Sequence, residues 1–504
     1  EGTSDLYKEV ADWSNFNRII EGVMPENVIG DVTIDNIKYH YLYDNARIDG
    51  YEGEPVTVII PENIKIDNSE IPVTKVYEYA FDHCDSLTSI LIPDNVAEIG
   101  ERSFCGCLNL KKVKLGNNLK TIGREAFYNS ESLEECDIPA SVEELGFNAF
   151  LNTSIKKVTI PKNAHPQNEL SVFGGMAGID KFVVEEGNPF FREIDGALYR
   201  ISENGIKLEC VPGLKQGSLI LPENCTTVWS NAITRVSGIT EIIFNENLET
   251  IEREAVRAES IEHITMPKNA FVYSYAINSH SLKSVAFTGC LKNYSEIFFD
   301  CSELENIFID SPEETVYLDG IFTDIKECIN VFSSSPVKNF IYSEQCIVYV
   351  PGRAADNYAV TRATDLKEMW RYNVNRKDMK MEIIPEFEGV EIDKVTVNGK
   401  VVNSIDGVYL LSDANNIDVK VEYTLLGHQK MSTHYDSKFN EKVPDAIVSG
   451  IGETPNSQAN LIDIYGIDGM LYKKGASIDD LKGFGPGIYI LRQGNKSRKV
   501  VITK

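Results

Sequence analysis

The stretch Leu87-Thr-Ser-Ile-Leu-Ile-Pro93 returns three times in the first third of the chain. Its copies are Leu110-Lys-Lys-Val-Lys-Leu115, Leu133-Glu-Glu-Cys-Asp-Ile-Pro139 and Ile155-Lys-Lys-Val-Thr-Ile-Pro161. A second column keeps the same spacing of 23 residues and consists of Phe81, Phe104, Phe127 and Phe150. Since one such unit cannot bury its own apolar face, two columns in phase indicate stacked repeats, that is, a solenoid.

Each L-x-x-I-x-I segment predicts a short strand whose apolar side chains point inward and whose x positions face solvent. Successive strands should then form a parallel sheet. The pairs Ile99-Gly100, Ile122-Gly123 and Leu145-Gly146 recur before the phenylalanines and predict a turn. After a break, the pattern resumes at Ile239, Ile261, Leu282 and Leu304.

Small residues follow the phenylalanine column by three positions: Cys84, Cys107, Ser130, Thr153 and, late in the array, Cys301. We interpret them as a buried ladder in which free cysteine acts as a small apolar residue. The pair Cys105-Gly-Cys107 could instead indicate metal or redox chemistry. The structural interpretation is favoured, because Cys107 belongs to the ladder and the sequence offers no second pair or nearby histidine.

Composition excludes several classes of function. The net charge of −27 argues against nucleic-acid binding and against docking on anionic membranes, since both need clustered basic residues. The sequence has no apolar run long enough to span a bilayer. We therefore expect neither a nucleic-acid partner nor a membrane span.

These residues resemble the BspA-like class of leucine-rich repeats, found on bacterial surface and secreted proteins. The resemblance covers roughly residues 30–375 and implies a solenoid over 26–375 and a secreted or cell-surface location. Asn188-Pro-Phe-Phe191, Asp195-Gly-Ala-Leu-Tyr199 and Cys210-Val-Pro-Gly213 resemble the hairpin-bearing repeat of these proteins. Cys346-Ile-Val-Tyr-Val-Pro-Gly352, followed by Tyr358, resembles their closing cap.

The first 25 residues are predicted to be a capping segment. Gly2-Thr-Ser-Asp-Leu-Tyr7, Trp13 and Phe16 resemble the closing cap, so this segment is either the tail of an upstream repeat array or an ordinary N-terminal capping helix.

The pattern changes to period two from about residue 376. The Asn-Gly turn in Val395-Thr-Val-Asn-Gly-Lys-Val-Val402, and the strand Asp418–Tyr423, predict an Ig-like β-sandwich over 376–443. Residues 444–459 are typical of a linker. Residues 460–504 resemble the C-terminal sorting domain of type IX secretion, although Ile467-Asp468 replaces the basic residue usual there. The predicted fold class is therefore mainly β with short helical or irregular turns: a leucine-rich-repeat solenoid followed by small β-sandwich domains.

Motifs for chemistry are missing from the sequence. It has no H-E-x-x-H, G-x-S-x-G or P-loop motif, and its seven histidines do not cluster. We expect no catalysis, no cofactor and no metal site.

The x positions of the strands are the predicted binding face. They carry alternating basic and acidic rows, followed by mixed rows in the later repeats: Lys111, Lys112, Lys114; Glu134, Glu135, Asp137; Lys156, Lys157; Glu262, His263; Glu305, Phe308. These rows form either a recognition surface for a charged partner, with Phe308 as an exposed anchor, or a ladder of cross-strand ion pairs that stabilises the sheet. The ladder is favoured, because each lysine row has an acidic neighbour one repeat away.

The first functional hypothesis is binding or adhesion to an extracellular protein, which the family resemblance extends to host or matrix components. The alternative is a glycan-binding or scaffolding module of a bacterial outer surface, which would need exposed aromatic platforms. Only three tryptophans make the alternative weaker.

Overall fold

The computed structural model describes residues 29–168, 170–289, 295–310, 315–323, 325, 328–334, 339–341, 345–354, 364–413, 416–442, 462–466, 471–476, 487–493 and 496–502. The predicted cap at 1–25, the predicted linker at 444–459 and Tyr358 lie outside them. The described part is nearly all β and confirms the predicted fold class, a β-solenoid followed by small β-sheet domains. Its one described helix is Ser437–Lys442.

The first half of the solenoid has two walls. The L-x-x-I-x-I segments form one wall, which we call the first front sheet, with parallel strands Thr57–Ile59, Ser89–Leu91, Lys112–Lys114 and Glu135–Cys136. The pair Val158–Ile160 and Phe182–Val184 continues this wall, since Lys156 N donates to Glu134 O at 3.1 Å, and we count it with the first front sheet. The opposite wall has nine strands: Gly30–Ile34, Ile37–Tyr41, Ala46–Tyr51, Asn63–Ile66, Ser69–Val76, Glu98–Ile99, Thr121–Ile122, Glu144–Leu145 and His165–Pro166.

The Ile-Gly pairs correct one expectation. Ile99, Ile122 and Leu145 lie in short parallel strands of the nine-stranded wall rather than in turns. The glycine that follows allows close backbone approach, because a Cβ on Gly123 would lie 2.8 Å from the carbonyl carbon of Gly100. The turn prediction failed because a two-residue strand leaves no alternation to detect.

The core between these walls is a stack of identical side chains. Phe81, Phe104, Phe127 and Phe150 are fully buried, with neighbouring ring centroids 5.2–5.4 Å apart and nearly parallel planes. The predicted ladder of small residues is also buried, and three of its members hydrogen-bond the carbonyls of this column. Cys107 Sγ donates to Phe81 O at 3.0 Å. Ser130 Oγ donates to Phe104 O at 2.7 Å, and Thr153 Oγ1 donates to Phe150 O at 3.1 Å.

A hairpin interrupts the repeats and confirms the expected irregular unit. Strands Phe191–Ile194, Ala197–Ser202 and Gly205–Cys210 are antiparallel neighbours. The last two are buried on both faces. Leu198 and Cys210 belong to the apolar core of the first half, whereas Tyr199 and Leu208 belong to that of the second half. The hairpin is thus a wall between two cores.

A buried ion pair fixes this wall. The side chains of Arg200 and Glu209 are 5% and 0% exposed, and their charged atoms lie 3.1 Å apart. Glu209 Oε1 accepts hydrogen bonds from the backbone amides of Val172 and Phe173 at 2.5 and 3.2 Å. Because Phe173 is the last ring of the phenylalanine stack, the pair joins that stack to the hairpin.

The second half of the solenoid has three walls and one further strand pair. The continuation of the L-x-x-I-x-I wall, which we call the second front sheet, has strands Gln216–Ile220, Gly238–Ile243, His263–Met266, Ser284–Phe287, Asn306–Ile309, Cys328–Ser333, Gln345–Val350 and Thr364–Glu368. Cys225–Val228, Thr250–Ile251 and Phe271–Val272 extend the hairpin sheet. The third wall consists of Ile233–Val236, Val256–Ala258, Ile277–Asn278, Phe298–Phe299 and Phe322–Thr323. The further pair is Thr315–Tyr317 with Asn339–Ile341.

Two antiparallel four-stranded sheets follow, here called the two-sheet domain. One sheet consists of Trp370–Asn375, Lys380–Pro385, Val408–Leu410 and Ser404–Ile405, and the other of Lys400–Val402, Val390–Val397, Val419–Leu425 and Gln429–Tyr435. The predicted Asn-Gly turn is present, with positive φ at both Asn398 and Gly399. Strand Trp370–Asn375 pairs within this domain, while Thr364–Glu368 still pairs with the second front sheet.

The described residues of the C-terminal unit, 444–504, form one antiparallel sheet. Its strands are Ile462–Gly466, Leu471–Ala476, Gly487–Gln493 and Lys496–Ile502. The β-rich character expected of this segment is therefore present.

Candidate binding surfaces

The first front sheet exposes the predicted charged rows. Apolar side chains of each strand are buried, and the residues between them are exposed: Lys111, Lys112, Lys114, Glu134, Glu135, Asp137, Lys156 and Lys157. Strand register places Lys112 directly opposite Glu135, one repeat away. The alternation read from the sequence therefore describes the surface of this sheet.

Some of these charges are paired across strands. Lys112 Nζ lies 2.5 Å from a carboxylate oxygen of Glu135, and Lys156 Nζ contacts the carboxylate of Glu134. The hydrogen bond and positive charge of Lys156 lower the pKa of Glu134. Other members lack such a contact, since no described residue forms an ion pair with Lys111, Lys114, Asp137 or Lys157. Some residues of the charged rows therefore form a cross-strand ladder of ion pairs, and the others form no ion pair with a described residue.

The second front sheet is covered at its middle strands and exposed at its first strands. One outward column is exposed at Ile220 (62%) and Ile243 (41%), and becomes buried at Ala286 (3%), Phe308 (1%) and Phe332 (0%). The change occurs because the two-sheet domain packs on the later strands, where Phe332 lies 5.2 Å from the ring of Phe387.

The expectation of an exposed Phe308 anchor is therefore wrong. Its strand position is outward, as predicted, but its ring packs against Phe332 at 5.3 Å and edge-on to His428 at 5.8 Å. The local sequence pattern around Phe308 cannot reveal a contact with His428, which lies 120 positions later in the chain. Glu262 and Glu305, each immediately before its strand, remain exposed.

His263 also lies at this covered boundary. Its ring stacks on that of His428 with centroids 4.0 Å apart, and its Nδ1 lies 2.7 Å from Ser284 Oγ. Burial and the nearby His428 lower the pKa of His263, which Glu262 partly opposes. His263 therefore belongs to a contact with the two-sheet domain, whereas Glu262 is exposed and paired with Lys283 at 2.9 Å.

Two other clusters contain groups that can take part in metal or redox chemistry. Ligand atoms of Asp31, His40 and Asp49 lie within 4.8 Å of one another, but Asp49 accepts a 2.7 Å hydrogen bond from the cationic guanidinium of Arg47. Burial raises the pKa of the Cys105 and Cys107 thiols to about 11 and about 12. Such thiols stay protonated, which favours the structural interpretation of this pair.

Sequence reasoning missed an exposed aromatic cluster on the opposite side of the second half. We call Phe271, Tyr273, Tyr275 and Phe299 the aromatic row. Phe271 and Tyr273 pack edge to face with centroids 5.0 Å apart, as do Tyr275 and Phe299 at 5.5 Å. Comparing equivalent positions of successive repeats would have revealed it, since these positions are polar one repeat earlier.

The repeat register and the two-walled core define a leucine-rich-repeat protein. The family model described as the BspA type Leucine rich repeat region matches six copies over residues 62–189 and 206–328. The repeats of this chain belong to that family. None of the helices in the described residues has the length and apolarity needed to cross a membrane.

Solved structures with detectable similarity come from several bacteria. A leucine-rich cell surface protein of Faecalibacterium prausnitzii is 18% identical, covers 58% of this chain and 96% of its own, and has a TM-score of 0.34. The pneumococcal vaccine antigen PcpA is 19% identical, with coverage of 67% and 98% and a TM-score of 0.43. A leucine-rich repeat protein of Bacteroides ovatus is 18% identical, with coverage of 67% and 91% and a TM-score of 0.40. No curated protein matches the chain significantly.

Proposed function

We propose that this chain is a secreted or cell-surface protein that binds an extracellular protein through the first front sheet and performs no catalysis. The observation that carries the proposal is the contrast between the two front sheets. The first keeps its outward side chains in solvent, whereas the corresponding column of the second is buried by the two-sheet domain at Ala286, Phe308 and Phe332. The repeat family, which includes bacterial surface proteins, supports the location.

The binding residues proposed within this sheet are the lysines without an ion pair. Lys111, Lys114 and Lys157 are exposed and form no ion pair with any described acidic side chain. A long basic side chain already committed to an ion pair must lose that contact before it can bind a partner, whereas these three need not. An acidic patch on an extracellular protein fits them best.

The test is a binding screen of the full chain against purified extracellular-matrix proteins and a glycan array. The variant Lys111→Glu/Lys114→Glu/Lys157→Glu should lose binding to a protein that the wild type captures. The control Lys268→Glu/Lys377→Glu/Lys400→Glu has the same change in net charge at exposed positions elsewhere and should keep it. Equal binding by both folded variants, or capture of glycans alone, would contradict the proposal.

A further inference from the structure

Most rings of the aromatic row are exposed to solvent. Phe271 is 53% exposed, Tyr273 44% and Phe299 37%, and Tyr275 is half-buried. Two pairs of large, mostly exposed rings at neighbouring positions of the chain mark an interaction site more often than a structural one. The cluster lies on walls of the solenoid other than the front sheets, so it is separate from the surface proposed above.

The preceding repeat shows that aromatic side chains are not needed at these positions. Phe271 pairs in register with Thr250, and Phe299 with Asn278. Tyr273 and Tyr275 follow Phe271 by two and four residues, where the earlier repeat has Glu252 and Glu254 after Thr250. The same backbone course is built there with threonine, glutamate and asparagine. The rings are therefore additions to the repeat rather than parts of its core.

Charged groups surround the rings. The Tyr275 side chain hydrogen-bonds Glu296, which raises its pKa, and the guanidinium of Arg253 lies 5.1 Å from the centroid of the Tyr275 ring. Arg253 in turn lies 3.5 Å from a carboxylate oxygen of Glu254. The guanidinium of Arg253 therefore lies on the Tyr275 ring with the Glu254 carboxylate beside it, which is the arrangement that a bound arginine would adopt on such a ring.

We propose that the aromatic row binds a lysine- or arginine-rich segment of a partner protein. Aromatic faces attract cations, and arginine is the cation most often found on them. Exposed carboxylates such as Glu249 and Glu254 supply counter-charges, and the net charge of −27 attracts a basic segment over a distance.

Two other occupants fit less well. A second copy of the chain carries the same strong negative charge and would be repelled. A neutral sugar stacks on a flat ring face, but both ring pairs of the row are nearly perpendicular, at 87° and 85°, and offer no common plane.

The probe for this proposal is a synthetic peptide of six Gly-Arg repeats, titrated into the full chain at about 150 mM salt, near physiological ionic strength. The variant Phe271→Thr/Tyr273→Gln/Phe299→Asn introduces polar residues like those of the preceding repeat and leaves the net charge unchanged. We expect its Kd to be at least tenfold weaker. The control Tyr43→Gln/Phe190→Thr removes two exposed rings elsewhere and should bind like the wild type.

Folding of each variant is checked by circular dichroism and thermal unfolding. If the folded row variant binds the peptide like the wild type, net charge alone accounts for binding and the proposal fails. It also fails if the row instead mediates binding of neutral oligosaccharides, or self-association measured by sedimentation. A peptide of six Gly-Glu repeats should not bind in any case. None of these readouts depends on the lysines of the first front sheet.

Discussion

The two front sheets share one strand pattern but differ in the solvent exposure of their outward side chains. Position five of the pattern is Lys114 in the first sheet, where it is exposed, and Phe308 in the second, where it is 1% exposed. Backbone pairing and the inward apolar side chains are equivalent in both. The difference is that the two-sheet domain covers only the second, so the repeat builds the sheet and the neighbouring domain determines how much of it remains available for binding.

The largest expected effect comes from truncating the covered position. Phe308→Ala should reduce the free energy of unfolding by about 3–5 kcal/mol, because it removes a buried ring and leaves a cavity between the sheet and the two-sheet domain. Lys114→Ala, at the same position of the first sheet, should leave stability nearly unchanged. Urea denaturation measures both, and similar losses would show that the two sheets do not differ as described.

A smaller effect is expected from one hydroxyl at the same junction. Tyr435 OH donates to Gly352 O and accepts from Trp370 Nε1, both at 3.0 Å. Tyr435→Phe leaves these buried groups unpaired and should cost about 1–3 kcal/mol. Tyr43→Phe, at a tyrosine 51% exposed, serves as the control. No loss in the Tyr435 variant would mean that the junction does not depend on this contact.

The histidine pair makes the covered sheet sensitive to acid. The folded-state pKa of His263 is lowered, so the unfolded state binds a proton before the folded state does as pH falls. The stability contribution of the neutral ring is complete above the ordinary histidine pKa of about 6.5 and is lost as pH falls below it. His428, Glu262 and Lys283 are the titratable groups around it.

This prediction is checked by thermal unfolding between pH 8 and pH 5. The wild type should lose more stability on acidification than His263→Gln. His434→Gln removes an exposed histidine of the two-sheet domain, to which His428 also belongs, and should follow the wild type. Identical pH profiles for wild type and His263→Gln would show that the stacked pair does not titrate as proposed.

The smallest effect on stability is expected from substitutions in the first front sheet. Lys112→Glu places like charges opposite each other at Glu135, whereas Lys114→Glu breaks no ion pair. Lys112→Glu should lower the melting temperature by no more than about 3 °C, and high salt should remove the difference. A larger, salt-independent loss would indicate that the ladder is a main source of stability.

Local periodicity explains what could be predicted from the sequence. The inward apolar positions, the phenylalanine stack and the Asn398-Gly399 turn depend on neighbours within one repeat or hairpin, and all three are confirmed. The burial of Phe308 and the stacking of His263 on His428 depend on a later domain, which no spacing reveals. The aromatic row needed a repeat-by-repeat comparison of surface positions rather than a search for periodic apolar residues.

Some predictions remain open. The domain limits at 375 and 443 and the sorting role of the C-terminal segment stay predictions, although Trp370 already pairs with the two-sheet domain. The charged rows remain a proposed binding face, now confined to the first front sheet and without Phe308.

The hairpin wall between the two cores has a consequence for how such a chain can change its length. Phe81, Phe104 and Phe127 occupy interchangeable units, and each meets only the ring before and after it. Removing or duplicating one complete unit would rejoin matching phenylalanine rings and leave the Arg200–Glu209 pair at the end of the stack. The first front sheet can therefore gain or lose binding positions one strand at a time, while the half of the solenoid that carries the two-sheet domain stays the same.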